Sequence, residues 1–343
     1  MERKRLDATR GETSRRRFLL QAGAFASASL VGSRALVAQE KKDDKARDAS
    51  GRRFTIDLVP GRIGIRCDQA RAIELAAANG FESVAPSWAD LARLDDDGKK
   101  RLEEDLKERK LVFGAADLPV NFRDEEGRFR KDMLELPDFV KTLDRFGIKR
   151  VGTWIRPSEQ SRTYIENFHT HARRLREVAK ALGEKGIRLG LEYVGPKRSW
   201  AHYLHPFIHT MVEMSELIDE IGEKNVGFVL DSWHWYHAHE GAEHIRELRA
   251  DAIVAVDLND APAGIERDDM VDHTRELPAA TGVIDLKSFL SALVRIGYDG
   301  PVRAEPFSQA LNELPAEEAA AQTAQAMKQA IALILPAETA KDG

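Results

Sequence analysis

From Phe54 onward, short apolar runs alternate with longer stretches whose apolar residues recur every three or four positions. "FTIDLV" reads as a strand because it is short, continuous and rich in β-branched residues. "CDQARAIELAAANG" reads as a helix, with Ala70, Ile73 and Ala77 on one face and Gly80 as its stop. The alternation continues through "FESVAPS", "LVFGAADLP", "IKRVGTWI", "IRLGLEYV", "VGFVLDSW", "AIVAVDLN" and "PVRAEPF", each followed by a helical pattern. In "DMLELPDFVKTLDRFG" the helix is expected after the proline. The clearest helix carries Ile165, Phe168, Ala172, Leu175 and Val178 on one stripe, with Gly183 and Gly186 at its end. Strands this uniformly apolar suit a parallel sheet covered on both faces. An open doubly wound sheet alternates too, but the first turn, "PGRIGIR", lacks the G-x-G-x-x-G spacing of a phosphate-binding loop. Eight such units predict a closed (β/α)8 TIM barrel, a single domain over residues 53–337.

The first residues follow another pattern. "TSRRRFLLQAGAFASASLVGSRALVA" has paired arginines, Arg15 and Arg16, before a mildly apolar stretch and small residues. It resembles a twin-arginine export signal over residues 1–38, with cleavage expected between Ala35 and Ala38 and a periplasmic or otherwise exported product. The stretch is too short and too rich in Ala, Ser and Gly to remain as a membrane anchor. Residues 39–52 are charged and without apolar period, which reads as a solvated linker. The single cysteine, Cys67, excludes a disulfide within one chain. A formal net charge of −5 offers no broad basic surface, so nucleic acid is not an expected partner. A homo-oligomer is left open.

The ends of the last four strands carry the chemistry. "RLGLE" ends at Glu192, "GFVLD" at Asp231, "VAVD" at Asp257 and "VRAE" at Glu305. In a barrel these C-terminal ends share the face where active sites are built. Any one acid there commonly caps the following helix. Four together repel, and a divalent cation relieves the conflict; oxygen donors suit Mg²⁺ or Mn²⁺.

With "LGLEYVGP", "VLDSWHWYHA", "VDLNDAP" and "GVIDLKSFLSALVRIGYDGPVRAEPF", the chain resembles the xylose-isomerase-like TIM barrels, the sugar phosphate isomerase/epimerase family. The resemblance implies one divalent metal, Mn²⁺ or Mg²⁺, held by Glu192, Asp231 and Glu305, with Asp257 where the family has histidine. It implies that His234 contacts a substrate oxygen, that Arg275 binds substrate, and that Glu192 and Glu305 move a carbon-bound proton through an enediolate. Trp233, Trp154 and Lys197 join the substrate-binding candidates, as residues lining or flanking the same strand ends. These positions supply too few histidines for a three-zinc DNA-repair site. The expected activity is therefore a metal-dependent isomerase or epimerase of a small keto sugar. Two alternatives stand beside it: a lyase or hydratase acting on 3-keto-glycosides by the same enolisation, and a non-catalytic carbohydrate-binding barrel.

Overall fold

The computed structural model describes residues 51–335. The export signal and most of the linker lie outside the described residues. Eight parallel strand positions follow one another: β1 (Thr55–Leu58), β2 (Ser83–Val84), β3 in two segments (Val112–Phe113 and Ala116–Asp117), β4 (Arg150–Trp154), β5 (Arg188–Glu192), β6 (Val226–Asp231), β7 (Ile253–Leu258) and β8 (Pro301–Ala304). The first segment of β3 pairs with β2 and the second with β4. β1 pairs with β8, Ile56 opposite Val302. The break at Gly114 and Ala115 is thus where the sheet, traced pair by pair, meets itself, and the result is the TIM barrel.

Helices cover the outside: α1 (Gln69–Asn79), α2 (Asp96–Glu108), α3 (Glu126–Arg145), α4 (Tyr164–Gly183), α5 (Met211–Ile221), α6 (Ser232–His237), α7 (Ala242–Arg246), α8 (Leu286–Ile296) and α9 (Ala316–Ala332). Their starts are encoded locally. Thr163 with Glu166 and Thr210 with Glu213 form capping boxes on α4 and α5, satisfying backbone N–H groups that the first turn leaves free.

Three local expectations differ from the structure. α3 runs through Pro137 instead of starting after it. Pro137 is exposed, while Phe129, Leu136, Phe139 and Leu143 bury the opposite face, so packing outweighs the one backbone hydrogen bond that the proline removes. Ile165 is 61% exposed; the inward stripe of α4 instead takes in Asn167, His171 and Arg174. Ala70 is exposed as well, and α1 packs through Ala72, Ile73 and Ala76.

The barrel interior is small-residue packing with a charged top. Ala115, Val229 and Ala255 form their own apolar cluster. A Cβ on Gly190 would come within 2.8 Å of Val229 and Val254 side chains, so only glycine fits at that point of β5. Above this layer one register row crosses four neighbouring strands. Asp57 of β1 lies opposite Arg303 of β8, Arg303 opposite Asp257 of β7, and Asp257 opposite Asp231 of β6.

Candidate active site

The strand ends open into a cavity of about 440 Å³. Its wall includes Glu192, Glu305, His234, Arg275 and Trp154, together with four residues that strand-end reasoning did not single out: Arg62, Asp117, Arg123 and Arg303. The volume is that of a small-ligand site.

Three guanidiniums interleave with the carboxylates. Arg275 donates from Nη1 to Asp231 at 2.8 Å and to Glu305 at 3.0 Å. Arg303 holds Asp257 with two bonds, 2.6 and 3.1 Å. Arg62, in the turn after β1, pairs with Asp257 at 3.1 Å and with Glu305 in a shorter contact. Asp231 is further fixed by the Trp233 backbone N–H at 2.8 Å and the Asn259 amide at 2.9 Å.

Glu192 is the exception. Its Oε1 is buried and has no hydrogen-bond partner among the described residues. Burial, followed by the neighbouring carboxylates Glu305 and Asp257, pushes its pKa well above the usual range. Burial likewise raises Glu305, outweighing Arg62, and lifts Asp231 to about 7 against the pull of Arg275. For Asp257, burial also pushes upward, but Arg303 and Arg62 prevail and hold the carboxyl below its ordinary value.

These residues fit a hard divalent cation. Ligand atoms of Glu192, Asp231 and His234 lie within 4.8 Å of one another, as do those of Glu192, Asp257 and Glu305. Glu192, common to both groups, carries the orphaned oxygen. Asp257 is within reach, yet its carboxylate is already engaged by Arg303 and Arg62. His234 has a different chemistry. Its Nδ1 faces the Gly195 N–H at 3.3 Å and its Nε2 faces Arg275 Nη2 at 3.4 Å, so each ring nitrogen meets a donor. Burial, then Arg275, depresses its pKa strongly, so the ring is neutral, with Nε2 also 3.7 Å from Asp231 Oδ2. The contact needs Gly195: a Cβ there would lie 2.4 Å from the His234 carbonyl oxygen.

The remaining candidates are spread more widely. Trp154 is 45% exposed and lines the cavity. Trp233 is fully buried below it, its indole N–H on Asp272 at 3.0 Å and the Arg275 guanidinium 5.5 Å from its ring. Lys197 stands outside the lining, on the surface, paired with Asp268 at 2.6 Å.

Arg303 did leave a signal in the sequence, as a charge two residues before Glu305 and so on the same face of an otherwise apolar strand; Asp57 in "FTIDLV" is a second. Arg62 left none, since its Glu305 partner is 243 residues away.

Comparison with known proteins agrees with this fold. Residues 73–330 match the family described as Xylose isomerase-like TIM barrel. The chain is similar to inosose isomerase of Bacillus subtilis (strain 168), 30% identical over 204 residues, 58% of this chain and 68% of that protein. It is also similar to 3-dehydroshikimate dehydratase of Pseudomonas aeruginosa, 26% identical over 250 residues, which cover 71% of this chain and 37% of that protein. A solved xylose isomerase domain protein from Alicyclobacillus acidocaldarius superposes with a TM-score of 0.71 at 31% identity, over 82% of this chain and 99% of that one.

Proposed function

The chain belongs to the xylose isomerase-like TIM-barrel family, and from that premise we propose that it is an isomerase or epimerase of a small polyhydroxy ketone. The observation that carries this reading is the pair Glu192 and Glu305. Both line one cavity, with carboxylate oxygens within 4.8 Å of each other, and burial raises the pKa of both. Carboxyl groups with raised pKa values suit removal and return of a proton beside a carbonyl near neutral pH. The neutral His234 ring lies in the cavity lining, placed to contact a substrate oxygen on which negative charge develops. Arg275, locked to Asp231 and Glu305, keeps the two acids in register and sets a positive charge at the cavity wall. A divalent cation of the Mn²⁺ or Mg²⁺ class, held by Glu192, Asp231 and Glu305, would polarise the substrate carbonyl.

Proton transfer at carbon is testable directly. An inosose or another keto sugar that is turned over in deuterated water should gain deuterium next to its carbonyl. Glu192→Gln and Glu305→Gln should each slow uptake by roughly 10²- to 10⁴-fold. Turnover with neither deuterium uptake nor a C–H isotope effect would sink the proposal. A second reading, elimination after the same first step, is favoured by the similarity to a dehydratase. It predicts the same label in recovered substrate but a product that has lost water or an alcohol.

A further inference from the structure

Four arginines line the cavity, and three of them are spent on its carboxylates. Arg62, Arg275 and Arg303 each pair with at least one of Asp231, Asp257 and Glu305. Arg123 differs. It stands in the loop after β3, and no carboxylate lies within ion-pair distance of it among the described residues. The neighbouring acid, Asp124, is taken by Arg156 at 3.1 Å. Nε of Arg123 donates to the Trp154 carbonyl at 2.9 Å, and Nη2 donates to Thr153 Oγ1 at 2.7 Å. The guanidinium carbon is sandwiched 4.3 Å from the Trp154 ring and 4.4 Å from the Phe122 ring. Nη1 has no partner among the described residues, and neither does the indole N–H of Trp154. Burial, reinforced by Arg156, pulls the Arg123 pKa down to about 10, as expected for a cation without a counterion.

We propose that Arg123 and Trp154 form a seat for a carboxylate on the substrate, so that the site takes a hydroxylated keto acid. The bonds to β4, including a shorter contact from Nη2 to the Trp154 carbonyl, and the aromatic sandwich fix the orientation of the guanidinium in advance, leaving Nη1 for a ligand. Thr153, Trp154 and Arg123 lie on the same cavity wall, so one anion can meet both the free guanidinium edge and the indole. A monoanion fits better than a phosphate. One guanidinium balances one charge, and Asp117 on the same lining disfavours a second negative charge. The proposal names the substrate class for the isomerase reading and rests on it for the chemistry, but the seat itself is read by binding alone.

The test is calorimetric titration of the full chain with quinate, a hydroxylated cyclohexane carboxylate, and with myo-inositol, a neutral ring of the same size. Quinate should bind roughly ten- to a hundredfold more tightly, the value of one charge-assisted hydrogen bond. Arg123→Gln should erase that preference while leaving inositol affinity unchanged, and Arg123→Lys should restore part of it. Thermal melting of each variant checks that a loss of binding is not a loss of fold. Equal affinities for the two rings, no quinate binding at millimolar concentration, or a preference that survives in Arg123→Gln would each overturn the seat. Tighter binding of inositol phosphate than of quinate would overturn its assignment to a carboxylate. The two readings separate by readout: deuterium exchange at carbon tests the catalytic reading, and the preference for quinate over inositol tests the seat, so either can fail while the other holds.

Discussion

Asp57 is a carboxyl group with nowhere to place a charge. It is buried in β1, and neither of its oxygens has a hydrogen-bond partner among the described residues. A Cβ on Gly114 would approach those oxygens to 2.5 Å, so the space around them is already full. Burial therefore raises its pKa from 3.8 to about 7, even with Arg303 opposite. The sign of the consequence follows from proton counting. Between pH 4 and 7 the folded protein keeps a proton on Asp57 that the unfolded chain has released. Folding stability is then highest at the acid end and falls as pH rises, by at most about 1.4 kcal/mol per pH unit for one such group. Asp231 and Glu240, also raised to about 7 by burial, add in the same direction. Asp57→Asn should flatten the pH dependence of the urea midpoint between pH 4 and 7 and make the protein relatively more stable at pH 7. An unchanged slope would mean that Asp57 is ionised in the fold.

At the level of strands, sequence and structure part where partners come from different elements. Glu192, Asp231 and Glu305 were legible because each closes an apolar run, and in a parallel barrel the end of a run is also a place in space. The counterions of Asp231 and Glu305 were not, because nothing local in "PGRIGIR" or in "HTREL" says which carboxylate an arginine will meet. α3 departs from its expected start for the opposite reason: a local rule about proline yields to tertiary packing. The Asp257–Arg303 pair belongs to this scale, since it joins β7 to β8 through the register that sets Asp257 opposite Arg303. Both side chains are buried. Arg303→Met should therefore cost about 3–5 kcal/mol, mostly for the carboxylate left with Arg62 as its remaining partner. Pairing it with Asp257→Leu should recover much of that loss, because the orphaned charge is removed with its partner. Urea denaturation of the two single variants and the double variant measures the coupling. Strictly additive losses would show that the pair is not an energetic unit.

The whole molecule bears on the export expected from the first residues. The barrel closes only when β8 pairs with β1, Thr55 against Pro301, so the sheet is incomplete until nearly the entire chain exists. A chain carried in the folded state has to complete this closure before it crosses the membrane. The chain has one cysteine, Cys67, and it is exposed, so no internal disulfide needs an oxidising compartment to complete the fold. With the paired arginines at positions 15 and 16, these features lead us to propose twin-arginine export. The proposal makes a two-part prediction. Changing Arg15 and Arg16 together to Lys keeps the charge and the apolar stretch, so a route that reads only charge and hydropathy would still export the chain. A twin-arginine route should instead leave it inside the cell, folded and with its signal intact. The second part uses the fold. Arg303→Met, if destabilised to the point of unfolding at the growth temperature, should also be retained even with its arginine pair unchanged, whereas a threading route is indifferent to folding. Fractionation with immunodetection reads both variants, and continued export of the double lysine variant would end the proposal whatever Arg303→Met does.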